Sequence, residues 1–362
     1  MYKRQILISI LCVTLLATGI SRSPAAGLLG ITILTCSKAF IDYSTSGLEN
    51  PLTHLSDLEI RAAQAEIVTW QGREALRLED GLAIVPSHPT VDGSIEVLIG
   101  TDGPAYPGVA FRMADVLNFE LAYAVPHVSG EWDALQYDPV FHGSNTWQVY
   151  HGPSYQRAAQ VPTGRWFKLK VDYCGARAAV SVDGQPPLVV ERMAHPPAAG
   201  PFGLWTYRPA HFCDLQLSTC SEQAIPRGET PRIAAGAVEA WFVEGYGVMT
   251  CEPNGVVNLN RYLPASVGEV RLTRRFEMGQ AGPVTFEFGF SDALSLELDG
   301  QVVFSGEHTF KGFADRVARG YVEPGMRSTE QVLAPGTHHL AAALKVSEGF
   351  GWGLALAAHG EG

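Results

Sequence analysis

Short runs of apolar and β-branched residues, each ended by Gly, Asp or Pro, recur from residue 58 to residue 217. Residues 94–99, 166–171 and 178–182 are representative runs. Their side chains alternate between two faces, which is the period of a strand and not of a helix. The chain holds 38 glycines and 23 prolines but only 17% charged residues, and this composition suits short strands joined by tight turns. The pattern predicts an all-β fold of antiparallel sheets.

Several motifs in this region occur in a characteristic order. GVAFR (108–112) and NFELAY (118–123) are followed by WFKLKV (166–171), AAVSVDG (178–184), GPFGLW (200–205) and HFCDLQL (211–217). This order resembles the concanavalin A-like, laminin-G-type jelly roll of bacterial carbohydrate-active proteins. The resemblance covers residues 50 to 220, and it implies a jelly-roll domain that we place at residues 40–221.

A polar, aperiodic stretch at residues 222–236 reads as a linker, and strand patterns resume beyond it. Leu294, Leu296 and Leu298 alternate with polar residues before an Asp299-Gly300 turn. This hairpin and the late GFGWG segment resemble the galactose-binding-like jelly roll, which implies a second domain at residues 237–362. The fold class predicted from the sequence is therefore all-β, with two antiparallel β-sandwich (jelly-roll) domains in tandem after an N-terminal signal segment.

The N-terminus has the three parts of a secretory signal. Lys3 and Arg4 precede an apolar run at residues 6–20, and small residues follow up to Ala26. We therefore predict a signal peptide at residues 1–26 and an exported protein that is periplasmic, on the cell surface or secreted. The segment LTC (34–36) resembles a lipoprotein box, so lipidation at Cys36 is the alternative, and it would attach the protein to a membrane through its N-terminus.

Charge and cysteine spacing exclude some partners. The chain has 26 basic and 37 acidic residues, for a formal net charge of -11, which opposes a nucleic-acid partner. No Cys-x-x-Cys pair is present, so a clustered zinc site is unsupported. Cys174 could pair with Cys213 or Cys220 in an oxidising compartment, or all three could be buried free thiols. Structural Ca²⁺, held by Asp102, Asp115 and Asp138 with backbone carbonyls, is the one cofactor considered.

The stretch from residue 118 to residue 155 is unusually rich in planar and hydrogen-bonding side chains. Flat apolar faces edged by donors and acceptors match a sugar ring. The predicted ligand-binding residues are His127, Trp132, Asp133, Gln136, Tyr137, Asn145, Trp147, His151 and Tyr155. The alternative is that one face of residues 147–151 is core and that Trp147 is a packed aromatic.

Hydrolysis of a glycan needs two carboxyl groups placed across the scissile bond. Glu131 and Asp133 are the candidates, because alternate residues of a strand share a face. A third carboxylate, present in several jelly-roll glycosidases, is missing here. The leading interpretation is an exported carbohydrate-binding protein. The alternatives are a glycan-processing hydrolase or lyase that acts in the same cleft, and a structural or adhesion module. The sequence does not establish that a reaction is catalysed.

Overall fold

The computed structural model describes Leu52 and residues 54–360. The predicted signal segment and Cys36 lie outside these residues, so export and lipidation stay predictions. Secondary structure in the described part consists of β-strands and of short 3₁₀ helices at Leu55–Asp57, Pro126–Val128, Glu222–Ala224, Leu259–Arg261 and Ala265–Val267. No helix in this part is long and apolar enough to cross a membrane.

The first sandwich is built from the strands that precede residue 219. In chain order they are β1 (Glu59–Trp70), β2 (Arg73–Thr90), β3 (Gly93–Gly100), β4 (Tyr106–Asp115), β5 (Asn118–Ala124), β6 (Leu135–Tyr137), β7 (Val140–Phe141), β8 (Ser144–Asn145), β9 (Gln156–Arg157), β10 (Phe167–Cys174), β11 (Arg177–Val182), β12 (Leu188–Val190), β13 (Gly200–Tyr207) and β14 (Ala210–Ser218). They form one curled antiparallel sheet in the order β12-β11-β10-β3-β14-β2-β13-β4-β5-β6-β9, with β1, β7 and β8 paired beside this path.

The long strand β2 joins the two layers of this sandwich. Its first half pairs with β14 around Leu76 and Leu78, and its second half pairs with β13 around Ile84. Between the halves, Gly81 has a φ of +152°, and an added Cβ atom would lie 2.2 Å from the carbonyl oxygen of Arg61. Glycine is therefore required where β2 passes from one layer to the other.

The second sandwich follows the stretch that we predicted to be a linker. Its strands are β15 (Ala240–Val243), β16 (Gly247–Thr250), β17 (Val256–Asn258), β18 (Glu269–Met278), β19 (Gly282–Ser291), β20 (Ala293–Leu298), β21 (Gln301–Glu307), β22 (Arg327–Leu333), β23 (Gly336–Lys345) and β24 (Gly353–Gly360). One sheet has the order β16-β15-β18-β23-β20-β21, and the other has the order β17-β24-β19-β22. Leu294, Leu296 and Leu298 face the core between the sheets, as their alternation predicts. The predicted all-β fold of antiparallel sandwiches is confirmed.

The two sandwiches contact each other through Gln148, which is fully buried. Its backbone N–H donates to Phe350 O (3.0 Å), and its C=O accepts from Val322 N (2.9 Å). Its side-chain amide accepts from Ser291 Oγ (3.0 Å) and donates to Arg319 O (3.1 Å). The domain boundary drawn from the sequence stays a prediction, because residues 54–360 all belong to one compact unit.

The predicted linker is anchored to the first sandwich. Arg177 Nη1 donates to Ile225 O at 3.2 Å, and Gly228 N donates to Glu191 Oε1 at 2.5 Å. The cysteines of the described residues, Cys174, Cys213, Cys220 and Cys251, are all free thiols. The thiols are therefore free, as the second alternative states, but of the three considered only Cys213 is buried, and Cys174 and Cys220 are half-buried.

Candidate functional site

A cavity of about 440 Å³ lies between the outer face of the first sandwich and the second sandwich. Alternation along β5 separates its two faces: Ala122 and Ala124 belong to the main core, whereas Leu121 and Tyr123 belong to a second buried cluster on the opposite face, where Tyr123 lines the cavity. We call this space the aromatic cavity. Its ring-bearing lining residues are Tyr106, Tyr123, His127, Trp147, Trp205, Tyr207, Phe310, Phe313 and Phe350.

The wall contributed by the first sandwich is a continuous group of rings. Tyr106 lies 5.0 Å from His127 and 5.8 Å from Tyr207 between ring centroids. Tyr123 lies 5.5 Å from Trp205. Tyr207 is 50% exposed, so it presents its ring at the mouth of the cavity.

In the opposite wall, aromatic residues of the second sandwich pack against Trp147 of the first. The Trp147 ring lies 5.4 Å from Phe350 and 5.8 Å from Phe310. Phe350 is held near Trp147 because its carbonyl accepts the backbone N–H of Gln148. The docking of the two sandwiches thus completes the cavity.

Asp133 and Arg319 form a buried ion pair across the cavity wall. Their side chains are 1% and 8% exposed, respectively. The Arg319 guanidinium also lies 4.7 Å from the Phe313 ring centre and 5.2 Å from the Trp132 ring centre. Asp133 Oδ2 is in contact with Arg319 Nη1, whereas Asp133 Oδ1 accepts no hydrogen bond from any described residue and Arg319 Nε donates none. Buried polar atoms normally have hydrogen-bond partners, so unused acceptor and donor capacity remains at this wall.

A polar group lines another part of the cavity. Tyr123 Oη donates to Gln136 Oε1 at 3.2 Å, and Gln136 Nε2 donates to Asp133 O at 3.0 Å. Asp138 accepts from Asn145 Nδ2 at 2.8 Å and from the backbone N–H of residue 146 at 2.7 Å. Burial raises the pKa of Asp138 to about 7.

The structure brings part of the predicted ligand-binding set together. The predicted residues that line the aromatic cavity are His127, Asp133, Gln136, Asn145 and Trp147. Trp132 lies nearby but outside the lining, under the guanidinium of Arg319. Glu131 is exposed and does not line the cavity, so only one of the two carboxylates considered for hydrolysis is present there.

Three other predicted residues lie elsewhere. Tyr137 and Tyr155 belong to the core of the first sandwich, where they are 0% and 2% exposed. Tyr137 donates to the buried carboxylate of Glu120 at 2.5 Å. His151 stacks on Tyr321 at 4.4 Å, and burial lowers the pKa of His151 to about 4.

Sequence reasoning missed two kinds of lining residue. Trp205 and Tyr207 are two residues apart on β13 and share a face. Their spacing at the end of the GPFGLW motif therefore could have predicted an aromatic face there. Phe310, Phe313 and Arg319 come from the loop between β21 and β22, far away in the chain. Nothing in their local sequence indicates that they meet Trp147 and Asp133.

The expected calcium ligands do not converge. Asp102 accepts from Trp70 Nε1 at 3.0 Å, and Asp115 accepts from Leu117 N at 2.7 Å. Among the described residues, no group of three or more His, Cys, Asp or Glu side chains could hold a metal ion. Structural Ca²⁺ stays a prediction, and no chemistry is assigned to a metal here.

No protein-family model and no curated protein sequence matches the chain. Among solved structures, it is similar to a carbohydrate-binding module of Bacillus subtilis, at 16% identity over 43% of this chain and 92% of the module, with a TM-score of 0.34. A Bacillus subtilis protein with a galectin-like fold matches at 13% identity over 47% of this chain and 94% of its own, with a TM-score of 0.36. The β-glucanase of Bacillus licheniformis matches at 9% identity over 48% of this chain and 97% of its own, with a TM-score of 0.33. TM-scores this low carry no weight for the function of this chain.

Proposed function

We propose that this protein is an exported carbohydrate-binding protein whose aromatic cavity holds a sugar. Export is supported by the signal-like pattern of residues 1–26. The two jelly rolls would be of the concanavalin A-like and galactose-binding-like types, as their motifs suggest. The binding proposal rests on the chemistry of the cavity.

The observation that carries the proposal is the unused hydrogen-bonding capacity of Asp133. Its side chain is 1% exposed and lines the cavity; Oδ2 is paired with Arg319, and Oδ1 accepts no hydrogen bond from the described residues. A ligand hydroxyl is a natural donor to such a carboxylate, and hydrogen bonds to a charged group are stronger than neutral ones. The Arg319 partner fixes the carboxylate in place, so little entropy is lost when the ligand binds.

The rings around this carboxylate supply the second half of sugar recognition. A sugar presents a flat C–H face and a rim of hydroxyls, which require an aromatic surface and directional polar partners together. Tyr207 and Trp205 provide the surface, while Gln136 and Asn145 lie in the same lining. A volume of about 440 Å³ falls within the usual range of small-ligand sites.

A glycan-processing hydrolase or lyase acting in the same cavity is the second candidate. Asp138 favours this candidate. Burial raises the pKa of Asp138 to about 7, and a raised carboxyl pKa is typical of a catalytic proton donor. Asp133 would be the second carboxyl group. Both oxygens of Asp138 already accept hydrogen bonds within the protein, so binding is the better supported function.

The test is a glycan-array screen followed by calorimetric titration of the best neutral glycan. We expect Tyr207→Ala to weaken binding about tenfold, because it removes a ring at the mouth of the cavity. Tyr246→Ala is the matched control, since Tyr246 is 52% exposed and lies outside the cavity. Equal affinities of the two variants, or no glycan bound by the wild type, would contradict the proposal. Release of reducing sugar that Asp138→Asn abolishes, with binding retained, would favour the enzyme instead.

A further inference from the structure

A second concave surface, partly lined by Trp132, lies near the aromatic cavity. It consists of two adjacent spaces of about 690 and 400 Å³, whose walls share Gly152, Pro153, Glu229 and Arg316. We call it the arginine groove, because its basic lining residues are Arg157, Arg227, Arg232 and Arg316. Glu229 is the acidic side chain in the described part of its lining.

We propose that the arginine groove binds the anionic groups of an acidic polysaccharide, whether carboxylates or sulfate esters. The inference rests on the proposed carbohydrate-binding function and names the chemical class of the ligand. A chain that occupies the aromatic cavity with one sugar would reach the arginines with its neighbours.

The charges of the groove are incompletely compensated by the protein. Arg157 and Arg232 are exposed, and their side chains form no ion pair or hydrogen bond with any described residue. Arg227 is 85% exposed and lies 3.5 Å from Glu191, a carboxylate that already pairs with Arg177 at 3.1 Å. Guanidinium groups bind carboxylate and sulfate oxygens in a bidentate fashion, so free arginines in a groove favour an anionic ligand.

This local positive charge stands out because the chain as a whole is acidic, with a formal net charge of -11. A polyanion is repelled by most of the surface and is attracted only within about one Debye length, roughly 8 Å at physiological salt, of the arginines. The same balance disfavours a long nucleic acid, which needs basic residues along an extended track. A short anionic stretch of a flexible glycan fits better.

Trp132 and Gln156 place the groove next to the aromatic cavity. The Trp132 ring lies 4.9 Å from the guanidinium of Arg316, which lines the groove, and 5.2 Å from that of Arg319, which lines the cavity. Gln156, a groove residue, donates to Gln136 of the cavity at 3.2 Å. Residues that line the two spaces are thus in direct contact, and a single ligand could contact both.

The test compares polygalacturonate, its carboxyl-reduced neutral form and dextran sulfate in titrations against the full chain. We expect a polyanion to bind more tightly than the neutral polymer, with an affinity that falls as NaCl rises. Arg157→Gln/Arg232→Gln should weaken polyanion binding about tenfold and flatten the salt dependence, with neutral binding unchanged. Arg165→Gln/Arg275→Gln removes the same charge at exposed positions outside the groove and should change neither.

The outcomes separate this inference from the proposed function. Tighter binding of polygalacturonate assigns carboxylates, and tighter binding of dextran sulfate assigns sulfate esters. Equal affinity for the neutral and anionic polymers, or an equal effect of the two double variants, would contradict anion binding in the arginine groove. Neither result would contradict sugar binding in the aromatic cavity. If polyanions bind and Tyr207→Ala leaves the affinity for every glycan unchanged, anion binding in the groove is supported and sugar binding in the aromatic cavity is contradicted.

Discussion

Arg319 of the second sandwich forms an ion pair with Asp133 of the first, and both side chains are nearly inaccessible to solvent. Charges that are removed from water stabilise a fold only while they remain paired. This pair therefore couples the lining of the aromatic cavity to the way the two sandwiches dock.

The first prediction concerns the stability of this pair. Arg319→Gln leaves Asp133 buried without its counter-charge, so we expect the free energy of unfolding to fall by about 3 to 5 kcal/mol. Arg319→Gln/Asp133→Asn removes both charges and should lose less than the sum of the single variants. Urea denaturation of the wild type, both single variants and the double variant measures the coupling. Strictly additive losses would show that the pair contributes nothing.

The second prediction concerns pH. Burial raises the pKa of Glu120 from 4.5 to about 7. The folded state therefore holds this proton more tightly than the unfolded state. The stabilisation is complete below about pH 4.5 and is lost as the pH rises towards 7, by about 3 kcal/mol for this shift.

Glu120→Gln removes this titration while it keeps a neutral amide opposite Tyr137. Chemical denaturation at pH values from about 4 to about 8 covers the window set by these pKa values. We expect the unfolding free energy of the variant to change less with pH than that of the wild type. Glu74→Gln, at an exposed position on β2, is the control and should leave the wild-type profile unchanged. Identical profiles for all three proteins would refute the assignment.

The third prediction concerns Gln148. Gln148→Ala removes the side-chain bonds to Ser291 and Arg319; the Arg319 carbonyl loses its Gln148 donor, while Ser291 keeps its bond to Asp292. We expect a loss of about 1 to 3 kcal/mol in unfolding free energy. Glycan binding should weaken as well, because the loop that carries Arg319 loses part of its support. Gln301→Ala, on the exposed start of β21, serves as the control in both assays.

The fourth prediction concerns the crossing point of β2. Gly81→Ala places a Cβ atom 2.2 Å from the Arg61 carbonyl oxygen, so the strands must separate. Replacing glycine by alanine at a compatible position stabilises a protein by about 0.4 to 1 kcal/mol, whereas an incompatible position costs more than that, so we expect a loss of stability larger than about 1 kcal/mol. Gly103→Ala, with no atom within 4 Å of the added Cβ, should melt like the wild type in a thermal scan. Equal melting temperatures of the two variants would argue against close packing at Gly81.

The fold was largely predictable because alternation is a local property. The buried Leu294, Leu296 and Leu298 occupy the face that their spacing indicates. The site was only partly predictable, because composition does not tell which face of a strand meets the core. Gln136 and Tyr137 are neighbours on β6, and the strand geometry sends one to the cavity and the other to the core.

The remaining wall could not be predicted because it depends on long-range packing. Phe310 and Arg319 reach the cavity only after the second sandwich has docked, and the partners of Gln148 lie more than a hundred residues away in the chain. No periodic pattern or motif near these residues predicts their contacts with the first sandwich. A buried ion pair between distant segments has no signature in a single sequence.

The aromatic cavity is closed on one side by Trp205 and Tyr207 and on the other by Phe310 and Phe350. A ligand held between these walls binds the docked arrangement and not the separated sandwiches. By mass action, saturation at a hundredfold excess over Kd adds about 2.7 kcal/mol to the stability of that arrangement. The stability of the docked sandwiches would then increase with ligand concentration. A sugar-rich environment would itself protect the protein against heat and proteolysis.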